Sequence, residues 1–334
     1  MKFHSLVIGY DQERALLPEL SGSAHRGEIT AIIGKNGVGK STLLRTFAGI
    51  QEPLGGEILY DGEPVNKINR NNLARIVSFT STEILKISNM RVFDLVALGR
   101  FPYTNWFGTM TAGDRKIVID AMEKTSVSTL AERFVAELSD GERQKAMIAR
   151  MIAQDTSVML MDEPTAFLDV RSKFEVMELL LRLAHEDNKT VIFSTHDLNM
   201  AVSHSDNIWL IIGSSMKNGA PEDLMLNGSF DHLFESSSVG FNPESGTYSL
   251  KPESRGFICI KGVGAKLRWT VEGLKRAGFL AVNSLTSPYV NITNDKWQLV
   301  FPDSVKECYS VYDLIRELRN LSSLSGILPV IIDE

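Results

Sequence analysis

Gly34-Lys35-Asn36-Gly37-Val38-Gly39-Lys40-Ser41-Thr42 follows the apolar run Ile29-Thr-Ala-Ile-Ile33 and precedes an apolar-periodic segment that reaches Ile50. A strand, a glycine-rich loop and a helix in that order make a P-loop, and they predict an α/β nucleotide-binding fold. The glycines let the backbone curl until successive N–H groups converge on phosphate oxygens. The helix behind them adds its positive end. Lys40 is placed to reach the β- and γ-phosphates of a triphosphate, and Ser41 to ligate Mg²⁺.

Outward from this loop, short Val/Ile/Leu runs read as buried strands at Ile29–Ile33, Val158–Met161, Val191–Ser194 and Ile208–Ile212. Helical spacing between them, at Glu142–Ala153 and Lys173–His185, predicts a mainly parallel sheet covered by helices. Gly56–Gly62 reads instead as one strand of a small antiparallel element closed by Asp61-Gly62. A helical insertion is expected over about 83–155.

A Ser/Gly/Pro-rich stretch then marks a linker over 236–256. The expected organisation is a nucleotide-binding unit over 1–235, the linker, and a small α+β domain over 257–334. In that last domain the expected elements are a helix at Leu267–Ala277, strands at Leu280–Leu285, Tyr289–Thr293 and Trp297–Phe301, and a helix at Val311–Leu321. Trp269 is expected to be packed. The domain shows no metal spacing and no nucleophile–base pair, so a dimerisation or docking role, or a regulatory sensor, is the expectation for it.

The 334 residues are 43% hydrophobic with a formal net charge of −6. No block of Lys/Arg stands out, which argues against a nucleic-acid binder. Cys259 and Cys308 read as buried thiols of a reducing compartment rather than a disulfide or metal site. No apolar run approaches the roughly 18 residues of a membrane span, and the first residues lack the apolar core of a signal peptide. The expectation is a cytoplasmic protein able to dock onto a membrane partner.

Val158-Met-Leu-Met-Asp162-Glu163 is an apolar strand ending in two carboxylates. Asp162 suits Mg²⁺ bound through water. Glu163, one residue on, points elsewhere and suits the polarisation of an attacking water. Leu138-Ser139-Asp140-Gly141-Glu142 carries a capping box, Ser139 with Glu142, that opens a helix and turns its dipole toward an anion.

At these residues the chain resembles the ATP-binding-cassette family over roughly 1–225. The resemblance implies an ATPase that binds ATP and Mg²⁺ between two copies clasped head to tail. Ser139, Gly141 and Glu142 of one copy would then face the γ-phosphate held by the other copy's P-loop. It implies that Tyr10 stacks on adenine, that Asp169 lies at the dimer interface, and that His196 contacts the γ-phosphate and steadies Glu163 and the water. Lys40, Glu163 and His196 are therefore the expected catalytic set, with Ser41, Asp162 and Thr82 toward the metal.

Two departures stand out. The resemblance implies a strand over Leu73–Thr82 that ends in the family's glutamine, whose place Thr82 takes, and Asp140 takes that of a signature glycine. A carboxylate at 140 is tolerable beside a triphosphate only if it turns away, toward Arg143 or solvent.

Val96-Ala-Leu-Gly-Arg-Phe-Pro-Tyr103 further resembles the importer ATPases for iron–siderophore, haem and cobalamin uptake. That implies a homodimer on the cytoplasmic side of the inner membrane. It would be bound to integral membrane permease subunits, and served indirectly by an extracytoplasmic substrate-binding protein. No heptad arms and only one P-loop occur, which disfavours the family's chromosome and translation members. A cluster-assembly scaffold or an ATP-gated interaction protein is the alternative.

Overall fold

The structure is a computed structural model that describes residues 1–10, 15–81, 89–104, 109–234, 239–242, 247–250, 256–282 and 288–323. The chain divides into two compact units, one comprising 1–237 with 241–247, the other 238–240 with 248–334.

In chain order the first unit runs β1 (Lys2–Gly9), β2 (Ala15–Ser23), β3 (Ile29–Gly34), α1 (Lys40–Phe47), β4 (Gly55–Tyr60), β5 (Glu63–Pro64), α2 (Arg70–Ile76), β6 (Val77–Thr80) and α3 (Val92–Ala97). It continues with α4 (Ala112–Lys124), α5 (Asp140–Ala153), β7 (Val158–Met161), α6 (Val170–His185), β8 (Thr190–Thr195), α7 (Leu198–His204), β9 (Asn207–Ile212), β10 (Ser215–Gly219) and α8 (Pro221–Leu226). Six strands form one sheet in the order β10-β9-β3-β8-β7-β6, and four form another in the order β2-β1-β4-β5. The first is parallel apart from β10, and the second is antiparallel.

Side-chain alternation along each strand sorts the parallel sheet's residues to two faces. Ile32, Leu160, Ile192 and Ile211 meet α1 and the antiparallel sheet. There Phe3, Phe47 and Trp209 pack at ring separations of 5.1 to 5.7 Å. The alternate residues Ala31, Ile33, Met159, Met161, Val191 and Phe193 face α5 and α6. Helix α5 serves two cores: Ile148 and Met151 go to the sheet, whereas Ala146, Ala149 and Ala153 pack on α3 and α4. It therefore joins the helical insertion to the sheet as one body.

Two expectations need correction here. Leu73–Thr82 is not all strand: α2 (70–76) takes its first four residues, and β6 holds 77–80. Asn69 decides this, because its side chain caps the helix by accepting from the Asn72 N–H at 2.9 Å. The stretch read as a linker contains β11 (Val239–Asn242) and β12 (Thr247–Leu250), which form a two-stranded sheet.

The second unit continues with β13 (Gly256–Lys261), α9 (Gly264–Arg276), β14 (Phe279–Val282), β15 (Tyr289–Ile292), β16 (Trp297–Val300), β17 (Val305–Cys308) and α10 (Val311–Ser323). Its sheet has the order β14-β13-β15-β16-β17, and its core takes Ile258, Leu274, Phe279, Leu299 and Leu318. Cys259 and Cys308 are buried and free. Trp269, expected to be packed, is 66% exposed. Trp297 is the buried tryptophan, and its Nε1 donates to the Thr270 hydroxyl at 2.8 Å. Among the described residues no helix is long and apolar enough to cross a membrane.

Candidate nucleotide site

The loop between β3 and α1 turns on Gly37 (φ 79°) and Gly39 (φ 109°), a backbone region that favours glycine. A Cβ on Gly34 would lie 2.9 Å from Val38 Cγ1 and 3.0 Å from the Ile211 carbonyl oxygen, so no side chain fits there. Lys40 folds back into the loop. Its Nζ donates to the carbonyls of Gly34 at 2.9 Å and Lys35 at 3.3 Å, and the residue is 6% exposed. Burial lowers its pKa from the ordinary lysine value, while the charges of Glu163 and Asp162 oppose that shift. Loop lysine and strand-end carboxylates therefore share one electrostatic environment. Thr42 is buried and Ser41 exposed beside them.

Asp162 is buried at the end of β7, and its N–H donates to the Thr80 carbonyl at 2.9 Å. Glu163 takes φ 46°, a strained conformation for a residue with a side chain. Its Oε2 lies 3.1 Å from His196 Nδ1 just past β8. Thr195 and Asp197 fix that bend: the Thr195 hydroxyl accepts from the Asp197 N–H at 3.0 Å, and the Asp197 side chain caps α7.

Sequence reasoning gave Ser194 no part, yet it stands between the two carboxylate positions. Its hydroxyl donates to Asp162 Oδ1 at 2.6 Å and accepts from the Glu163 N–H at 2.9 Å. The signal was in the register: β7 and β8 pair Met161 with Phe193, so the next residue of each strand adjoins the other.

Ser139 caps α5. Its hydroxyl and its N–H both donate to Glu142 Oε2, at 2.8 and 2.9 Å. Those bonds, the main-chain one foremost, hold the Glu142 carboxyl below the usual range. A Cβ on Gly141 would come 2.8 Å from Ser172 Oγ, so the helix start needs glycine there to pass α6. Asp140 turns aside, with Oδ1 2.8 Å from Arg143 Nη1. Asp169 caps α6 by accepting from the Ser172 N–H at 2.9 Å.

Among the described residues no hydrogen bond or ion pair joins Ser139, Gly141 or Glu142 to residues 34–42. One chain thus unites the loop, Asp162, Glu163 and His196, and leaves the signature residues apart. Tyr10 is 72% exposed at the end of β1. It stands two residues past Ile8, whose Cδ1 would meet a Cβ on Gly39 at 3.6 Å. Thr82 lies outside the described residues.

Ser41 and Asp162 offer one hydroxyl and one carboxylate, both hard oxygens. Among the described residues no cluster of three His, Cys, Asp or Glu could hold a metal by itself. So sparse a donor set fits Mg²⁺, which completes its shell from water and substrate phosphates.

The string around Gly99 proves mostly internal. Arg100 is buried, with Nε 2.9 Å from Asp114 Oδ1 and Nη1 donating to the Ala153 carbonyl at 2.9 Å. Its guanidinium lies 3.9 Å from the centroid of the Tyr103 ring. Arg75 holds the Pro102 carbonyl with two donors, at 3.1 and 2.8 Å. Phe101 alone of residues 99–102 stands out, at 72% exposure.

A P-loop joined to a carboxylate-ended strand and a neighbouring histidine defines a P-loop nucleotide-binding protein. Residues 17–166 match the ABC transporter family, and residues 255–319 match the iron ABC transporter C-terminal domain. The chain is 34% identical over 265 residues to the petrobactin import ATP-binding protein FpuD of Bacillus anthracis, covering 79% of this chain and 97% of that one. It is 35% identical over 231 residues to the iron(3+)-hydroxamate import ATP-binding protein FhuC of Bacillus subtilis, covering 69% and 86%. Among solved structures, an inward-facing metal-chelate type ABC transporter aligns with TM-score 0.63 and 28% identity over 74% of this chain and 94% of that one. The dimeric structure of a bacterial ABC transporter cassette aligns with TM-score 0.58 and 26% identity, covering 66% and 98%. The chain belongs to the ATP-binding subunits of ABC transporters.

Proposed function

We propose that this chain is the ATP-hydrolysing subunit of an importer for iron–siderophore, haem or cobalamin type chelates. It works as a homodimer bound to integral membrane permease subunits at the cytoplasmic face of the membrane. An extracytoplasmic binding protein delivers the cargo, and no nucleic acid takes part. The importers named among its relatives, and the match of its second unit to an iron-transporter domain, support the cargo class.

The hydrolytic reading rests on the 3.1 Å contact between Glu163 and His196 beside a buried loop lysine. In the proposed reaction a water oxygen attacks the γ-phosphorus in line, and the bond to the β-bridging oxygen breaks. Glu163 accepts the water's proton. His196 holds the Glu163 carboxylate in place, and Lys40 with the α1 N-terminus stabilises the charge on the transferring group. Tyr10 receives the adenine, and Thr42 lines the loop with Lys35, Asn36 and Val38. Ser41 and Asp162 would hold Mg²⁺, which would supply charge neutralisation to the phosphates. Ser139 and the Gly141 N–H, mounted by the Ser139–Glu142 cap, meet the γ-phosphate on the partner copy, which explains why one chain leaves them unjoined to the loop. Closing on ATP and reopening after hydrolysis moves the permease.

The test is Glu163→Gln. Light scattering should show dimers on addition of ATP, and turnover should fall by about 10²–10⁴-fold, the usual contribution of a general base. Turnover at the wild-type rate removes Glu163 from the role. Deleting the protein from cells should abolish uptake of an iron–siderophore chelate.

A further inference from the structure

We propose that Ser194 is a positioning residue for the hydrolytic site: one buried hydroxyl sets both the Asp162 carboxylate and the Glu163 main chain. The inference rests on the nucleotide-site reading above and adds a residue to it. Ser194 is fully buried at the end of β8. Val191, Ile192 and Phe193 before it on β8 are apolar and buried, and the strand ends in the buried pair Ser194 and Thr195.

Both of its hydrogen-bonding capacities are used, and both on the site. It gives its proton to Asp162 Oδ1 at 2.6 Å, a length typical of a charge-assisted bond. It takes the Glu163 N–H at 2.9 Å. With Oδ1 engaged, the carboxylate plane of Asp162 is fixed and Oδ2 is the oxygen left for a metal. Among the described residues Oδ2 has no hydrogen-bond partner. Holding the Glu163 N–H also anchors the peptide that carries that residue at φ 46°. One side chain therefore ties the metal-facing acid to the proton-accepting one. The parallel register places 194 beside 162 without any loop in between. Strand ends are rigid mounts, and such a tie needs that rigidity.

The experiment measures binding of a fluorescent ADP analogue to wild type, Ser194→Ala, Ser194→Cys and Ser194→Thr, each in Mg²⁺ and in EDTA. ADP avoids turnover and dimer closure. Wild type should bind more tightly in Mg²⁺. Ser194→Ala should lose about ten-fold of that metal-dependent gain, the scale of one hydrogen bond to a charged group, with EDTA binding unchanged. Ser194→Cys, a weak donor of similar shape, should fall between, and Ser194→Thr should restore the gain. If Ala is too unstable to assay, Cys and Thr still separate the outcomes.

A merely structural serine would lower the melting temperature and move both affinities by one factor. That pattern, or an undiminished Mg²⁺ gain in Ala and Cys, overturns the inference while leaving the nucleotide-site reading intact. A wild type indifferent to Mg²⁺ overturns the metal reading itself and this inference with it.

Discussion

Asp140 Oδ1 lies 2.8 Å from Arg143 Nη1, one helical turn along α5, and Arg143 Nη2 also donates to the Leu138 carbonyl at 2.9 Å. The pair draws the carboxylate back along the helix it opens. In the proposed dimer, that contact would let an acid stand where the family has glycine beside the partner's triphosphate. Asp140→Gly should therefore leave ATP turnover within a few-fold. It should lower stability by no more than about 1 kcal/mol, the combined scale of a surface ion pair and a helix glycine. A steady-state ATPase assay and a urea titration check both, and a large rise in turnover would show that Asp140 acts on the nucleotide after all.

In the proposed homodimer each complete site would take Lys40 from one copy and Ser139 from the other. Lys40→Ala and Ser139→Arg should each be inactive alone. Mixed, they form heterodimers with one intact site, because a two-fold dimer repeats the same pair of surfaces. Hydrolysis by the mixture above that of either variant supports the shared site. No recovery, with heterodimers verified, counts against it.

The Arg100–Asp114 pair is buried on both sides, at 7% and 9% side-chain exposure. Arg100→Ala leaves Asp114 without its countercharge and frees the Ala153 carbonyl. Removing one member of a buried pair costs about 3–5 kcal/mol. The urea midpoint of the first unit should drop accordingly, and a change below about 1 kcal/mol would mean water enters the site freely.

Asp114 also predicts an acid limb. Hydrogen bonds from the Thr111 hydroxyl and N–H, then Arg100, hold its carboxyl below the ordinary aspartate range. A group depressed in the folded state stabilises above its unfolded value and loses that contribution as pH falls through the folded one. Stability should thus decline below about pH 4, and Asp114→Asn should flatten that limb while lowering stability at neutral pH. Urea midpoints between pH 3 and 7 measure it.

The parallel sheet and its P-loop were legible because buried strands write uninterrupted apolar runs and the loop needs glycines at fixed places. The α5 capping box was legible because a helix start leaves a local mark, whereas His196 entered only through the family resemblance. Leu73–Ile76 misread as strand because a short cap, Asn69, outweighed an apolar pattern. The β11–β12 sheet hid in Ser/Gly-rich sequence, where turn residues mask pairing. Ser194 was missed because its meaning lies across the sheet, in the alignment of two strands far apart in the chain. Trp269 shows the limit of hydrophobicity as a guide to burial.

At Gly99 an added Cβ would stand 2.3 Å from the Arg150 carbonyl oxygen. The 98–103 turn is thus pressed onto the backbone of the very helix that Ser139 opens. Any side chain there must lever α5 away from its seat. The string is therefore a packing contact that seats the turn on α5. Within the string, substitutions have room at Phe101 and none at Gly99.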